Sequence, residues 1–221
     1  MGGVLQDTEA AAVSPAFNAG WEETGDAQRR RAVATKASTA MATQSITSAL
    51  SAGDLLFRQY VSDALSGAQT ISGKCYCQIR TSEALGTADA ISRLILYVVS
   101  NDGGTVRGTL LTLADYSTGT EWATALTNKV FANGDAMTSV AALDGDRIVA
   151  EFGSNHGAVA VSQSMSWGDD NAQDLADIDE AGTTALNPWI ALEGVYTFQG
   201  AAVDVYSGRG VGRGIGRGVM R

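Results

Sequence analysis

Two apolar runs, ISRLILYVVS over residues 91–100 and TVRGTLLTL over 105–113, are separated only by Asn101-Asp102-Gly103-Gly104. Asn, Asp and Gly readily supply the positive φ angles of a tight turn, so this tetrapeptide turns the chain back and predicts an antiparallel hairpin. The rest of the chain follows the same pattern. In TISGKCYCQIR, residues 70–80, one face would carry Ile71, Cys75, Cys77 and Ile79, and the other Thr70, Ser72, Lys74, Tyr76, Gln78 and Arg80, the alternation of a half-buried strand. Residues 54–62, DLLFRQYVS, and 189–199, WIALEGVYTFQ, read as strands rich in aliphatic and aromatic side chains. A second turn, Asp144-Gly145-Asp146, divides residues 137–143 from RIVAEFG at 147–153. In AVAVSQSMSW, residues 158–167, Val159, Val161, Gln163, Met165 and Trp167 alternate with small residues.

Only residues 27–52, dense in Ala, Thr and Ser, have a composition that suits a helix, and their β-branched residues and scarcity of Leu weaken that reading. Seven or more short strands without βα alternation predict an all-β protein, an antiparallel jelly-roll-like β-sandwich, with a closed barrel as the alternative. We expect an N-terminal arm over residues 1–20, the sandwich over 21–200 and a Gly/Arg-rich C-terminal arm over 201–221.

Charge and hydropathy narrow the function classes. A net charge of -9 is a poor match to a phosphate-tracking surface, so no nucleic acid is expected on the body. The longest strongly apolar run, residues 94–99, is far too short for a membrane helix, and no membrane partner is expected. The first ten residues lack the basic and apolar regions of an export signal, and Gln6 stands where a myristoylation motif wants Ser or Thr.

No catalytic motif is legible. His156, the single histidine, sits in GSNHG and reads as a solvated loop residue. Glu151 lies opposite Ile148, Ala150 and Phe152 on its strand and reads as a surface carboxylate. Cys75 and Cys77 read as core thiols, with a metal-binding CxC the lesser alternative, because no other Cys is present to complete a site. We therefore expect no enzyme, no cofactor and no metal. Residues 168–180 crowd Asp169, Asp170, Asp174, Asp177, Asp179 and Glu180 without a Lys or Arg. A calcium loop is one reading of that cluster, but the spacing does not follow D-x-[DN]-x-[DN]-G, and a solvated loop is the plainer one.

The chain ends in GRGVGRGIGRGVMR, residues 208–221. Glycine at every second position opposes a helix by about 1 kcal/mol each. In an extended ribbon Arg209, Val211, Arg213, Ile215 and Arg217 share one side, and Arg221 closes the run. A loosely nucleic-acid-binding Arg/Gly tail is one reading. The other, which the single-sided pattern favours, is an arm that docks on a neighbouring subunit through arginine–carboxylate pairs and shallow apolar contacts, with the acidic residues Asp169, Asp170, Asp174 and Asp177 as its electrostatic complement.

The segments AAVSPAFNAGWEETG, LLFRQYVSDALSGAQTISG, VVSNDGGTVRGTLL, ALDGDRIVAEFG, WGDD and NPWIALEGVYTFQ occur in that order over about residues 10–199. Together they resemble a group of β-sandwich proteins encoded among the structural genes of tailed bacteriophages and their prophages. The resemblance does not extend to the C-terminal tail. It implies a virion component of the surface-decorating or fibre type, assembled in the host cytoplasm, with no catalytic residues to carry over. On this basis we expect a capsid decoration or cement subunit, a homo-oligomer with a trimer as one arrangement, partnered by other capsid or tail proteins. The alternative is a tail-fibre or baseplate adhesin that stacks host carbohydrate on Trp122, Trp167 or Trp189, although each of these reads more plainly as core. A glycan-active enzyme comes last.

Overall fold

The computed structural model describes residues 2–5, 9–33, 42–115, 120–130, 134–157, 160–167 and 189–199. Among the described residues the chain is all-β, with fourteen strands and no helix. In chain order these are β1 (Gly2–Leu5), β2 (Gln28–Val33), β3 (Ala42–Thr47), β4 (Gly53–Ser62), β5 (Gln69–Ile71), β6 (Lys74–Glu83) and β7 (Ile91–Val99), followed by β8 (Val106–Asp115), β9 (Thr127–Val130), β10 (Asp135–Ala136), β11 (Val140–Ala142), β12 (Arg147–His156), β13 (Ser162–Trp167) and β14 (Trp189–Leu192).

Twelve strands form one sheet whose path runs β3-β13-β6-β14-β1-β2-β4-β12-β7-β8, with β9 and β10 also on β6, while β5 and β11 form a separate pair. The main core shows how the sheet is arranged. It joins Ile46, Cys77, Ile79, Met165, Trp167 and Ile190 from one end of the path to Phe57, Leu94, Leu96, Ile148, Ala150 and Phe152 from the other. Two halves of one sheet therefore face each other across a shared apolar layer, which gives the fold its sandwich-like form.

The hairpin at residues 100–105 forms as the sequence demands. Gly103 has φ 77°, Gly103 N–H donates to the Ser100 carbonyl, and β7 pairs antiparallel with β8. At the other turn Gly145 has φ 85°, but the flanking strands separate, β11 pairing with β5 and β12 entering the large sheet.

Three sequence expectations change. Residues 27–52 contain β2 and β3 rather than a helix, because pairing with β4 and β13 overrides the weak local preference. The strand expected over 70–80 breaks at Gly73, φ 93°, yet Ile71, Cys75, Cys77 and Ile79 all reach the same core. The last strand stops at Leu192, and residues 193–199 continue as a loop beside β5, with Tyr196 Oη donating to the Ser72 carbonyl at 2.9 Å.

The register around β6 adds a topological point. Ser166 of β13 pairs with Arg80, and Trp189 of β14 pairs with Gln78, both antiparallel. One rung separates them, so β14 continues the line of β13 along one edge of β6. The acidic segment 168–188 lies outside the described residues and connects these two adjacent points.

Candidate functional site

A dense polar cluster lies beneath the N-terminal segment. On the half formed by β4, β12 and β7, one face enters the main core and the other carries Leu56, Val61, Val149, Ile95, Tyr97 and Val99. Residues 9–27 lie across that second face, seating Trp21 with Ala11, Val13, Phe17 and Ala27 against it. The segment expected as part of an arm thus packs as a strap on its own sheet.

Glu151 anchors the strap. Alternation along β12 does turn it away from Ile148, Ala150 and Phe152, but the face it joins is covered, and its side chain is 0% exposed rather than on the surface. Its Oε1 accepts from Tyr97 Oη at 2.6 Å and Gln59 Nε2 at 2.8 Å, and its Oε2 from Trp21 Nε1 at 2.7 Å. Both oxygens lie 3.2 Å from the Asn18 backbone N–H. Four donors from three separate elements thus converge on one carboxylate, which satisfies a group that would otherwise be very costly to bury. Burial in this layer, reinforced by Glu151, pushes the Tyr97 phenol well above its ordinary range.

Two local features let the strap sit this close. Phe57 is the extra residue of a β-bulge, where Phe152 pairs with Arg58 but Gly153 pairs with Leu56. At Gly153 a Cβ would fall 2.1 Å from the Leu55 carbonyl oxygen and 2.5 Å from the Trp21 ring, so only glycine fits. The arginines of β2 finish the attachment. Arg29 lies 3.8 Å over the Phe17 ring and bonds the Pro15 carbonyl at 3.3 Å, and Arg31 pairs with Glu9 at 2.6 Å and Asp63 at 2.9 Å. The basic run at 29–31 therefore serves intramolecular packing.

The bulge has a second effect, since it places the consecutive residues Phe57 and Arg58 on the same inward face, alongside Tyr60. Arg58 is buried 3.5 Å over the Trp167 ring and donates from Nε to Gln44 at 3.0 Å. Burial lowers the guanidinium's pKa and raises that of the Tyr60 phenol, each opposed by the other group.

An open cleft of about 670 Å³ lies at the end of the sandwich that holds both turns, lined by Ser100, Asn101, Asp102, Arg107, Asp144 and Arg147 among others. Its charged groups are engaged. Arg107 Nε reaches Asp146 at 3.2 Å, Arg147 bonds the carbonyls of Asn101 and Ser62 at 3.0 Å each, and Asp144 accepts from Gly67 N–H at 2.7 Å. Gln199, the last described residue, also reaches Asp144, at 3.2 Å.

The residues singled out by sequence distribute as follows. Arg209, Val211, Arg213, Ile215, Arg217 and Arg221, and the acidic residues Asp169, Asp170, Asp174 and Asp177, lie outside the described residues. Trp122, Trp167 and Trp189 are 2%, 0% and 3% exposed, so none offers a sugar-stacking face. Cys75 and Cys77 are buried free thiols whose pKa values burial pushes up. His156 ends a strand and is 1% exposed, not a solvated loop residue. No group of three or more metal-ligating side chains occurs among the described residues.

Sequence reasoning missed the Glu151 cluster because strand alternation identifies the face a residue takes but not what covers that face. The apolar Val13, Phe17 and Trp21 upstream of the first long strand were the available signal. No family model and no curated protein matches the chain. Among solved structures, it is similar to a CocE/NonD family hydrolase from Staphylococcus aureus at 7% identity and a TM-score of 0.45, covering 72% of this chain and 34% of that one. A structure of the Gx strain of infectious bursal disease virus aligns at 14% identity and a TM-score of 0.24, covering 80% of this chain and 40% of that one. The chain spans two fifths or less of these neighbours' lengths, and at these TM-scores neither carries an argument.

Proposed function

We propose that this chain is a structural subunit of a virus particle of the tailed-phage kind, a decoration or cement protein that joins neighbouring subunits. The observation that carries the reading is the strap clamp. Glu151 and its four donors tie residues 9–27 onto a sheet already packed on its other face, which produces a body braced on both sides. Rigidity of that kind suits a subunit that must hold its shape on a particle surface. The ordered series of segments resembling phage structural proteins supports the same reading. So does the Arg/Val tail, whose fourteen residues would reach roughly 45 Å when extended, enough to cross onto a neighbour.

Attachment is then the role of the tail, with Arg209, Arg213, Arg217 and Arg221 pairing with carboxylates of a capsid or sister subunit. The test is localisation in intact particles by immunogold labelling and mass spectrometry. Regular labelling of the shell at stoichiometric copy number is expected. Absence from purified particles would overturn the proposal, and binding of a host surface polysaccharide by the isolated protein would favour the adhesin.

A further inference from the structure

His156 pairs in register with Gly53 where β12 ends and β4 begins. The connection that it meets, residues 48–52, carries the chain from β3 in one half of the sandwich to β4 in the other. The buried ring is held between two backbone carbonyls, with Nδ1 at 3.0 Å from the Gly53 oxygen and Nε2 at 3.3 Å from the Leu50 oxygen. A neutral imidazole has one N–H, so it donates to one carbonyl and faces the other with a lone pair. Protonation would satisfy both contacts but would place a cation in a site that is 1% exposed.

The charged groups around the ring are already committed. Glu23 accepts from Ser48 Oγ at 2.6 Å and Ala49 N–H at 3.1 Å, and Glu22 accepts from Asp54 N–H at 3.0 Å. Asp54 is paired with Arg93 at 3.0 Å and accepts from Asn155 at 2.9 Å. Asp89, which holds a positive φ of 50°, lies beside Gly157. Among the described residues no carboxylate contacts the ring directly, so a buried imidazolium would lack an ion-pair partner there. Burial holds the pKa of the ring below its ordinary range against the pull of Glu23 and Asp54.

We propose that His156 is a proton-released latch on the β3–β4 connection: the neutral ring holds residues 48–53 closed through the Gly53 and Leu50 carbonyls, and acid favours a hydrated imidazolium with the connection open. The sign follows from linkage. A ring that binds its proton more weakly when closed than when open loses closure as pH falls through its ordinary value of about 6.5. Between that value and the closed-state titration, the opening equilibrium should rise by up to tenfold per pH unit.

The test uses the full chain, in which one histidine gives one ring signal. Its ¹H–¹⁵N ring correlations should titrate below 6.5. Hydrogen exchange of residues 48–55, corrected for intrinsic rates, should show protection falling severalfold, up to about eightfold, from pH 7 to 5.5. His156→Gln keeps a donor without a titration and should remove that pH dependence. A ring titrating at or above 6.5 would overturn the latch, as would equal pH dependence in the variant; if the variant does not fold, the ring titration decides alone.

Discussion

Replacing Glu151 with Ala should cost this protein more stability than any single loss at an exposed site. The side chain accepts from Asn18 N–H, Trp21 Nε1–H, Gln59 Nε2–H and Tyr97 Oη–H. Gln59 retains the Pro15 carbonyl at 3.3 Å, and Tyr97 the Ala16 carbonyl at 3.2 Å, so these two are only weakened. Asn18 N–H and Trp21 Nε1–H have no second acceptor among the described contacts. At about 1–3 kcal/mol for each stranded donor, the loss should be about 2–6 kcal/mol, a large part of the 5–15 kcal/mol typical of a whole domain. Urea unfolding followed by Trp fluorescence measures the loss. Hydrogen exchange at Asn18 should accelerate more than exchange in β12. A cycle with Trp21→Phe, which removes the indole N–H together with part of the ring's bulk, should give a coupling energy of about 1–3 kcal/mol, because the packing loss cancels in the cycle. A loss below about 1 kcal/mol, or no coupling, would refute the clamp.

Three further outcomes follow from the same contacts. Gly153→Ala places a Cβ against the Leu55 carbonyl and the Trp21 ring, and should destabilise by about 1–3 kcal/mol or more, read as a lower urea midpoint with unchanged slope. Glu83 is 2% exposed, and burial, assisted by Glu121, raises its pKa. The stabilisation from its bound proton is complete below the ordinary carboxylate range and is lost as pH rises through the raised value, so Glu83→Gln should flatten that slope and give a higher melting temperature than the unaltered protein at pH 7–8. Thiol reagents should label Cys75 and Cys77 only as fast as the fold opens; rapid native-state labelling of both would contradict their buried register.

Strands with a strong local signal were legible at the outset. Asn101-Asp102-Gly103-Gly104 specified its hairpin, and the alternation through Cys75, Cys77 and Ile79 identified the face that enters the core. Residues 27–52 were misread because β2 and β3 owe their conformation to partners distant in sequence, Gln28 pairing with Arg58 and Ala42 with Trp167. Glu151 and His156 were assigned to solvent for a related reason. Alternation gave Glu151 its correct face, but only the folded chain lays residues 9–27 over it. The Gly- and Asn-rich flanks of His156 suggested a loop where pairing with Gly53 extends the strand.

Quantitative mass spectrometry of purified particles, comparing the full chain with one ending at residue 207, tests the central claim most directly. The arginine-bearing arm is read as the attachment element and the strapped sandwich as an independent rigid body. The truncated chain should therefore keep its melting temperature while its copy number per particle falls at least tenfold. Full occupancy by the truncated chain would contradict the role assigned to the arm, and absence of the full chain from particles would contradict the account as a whole.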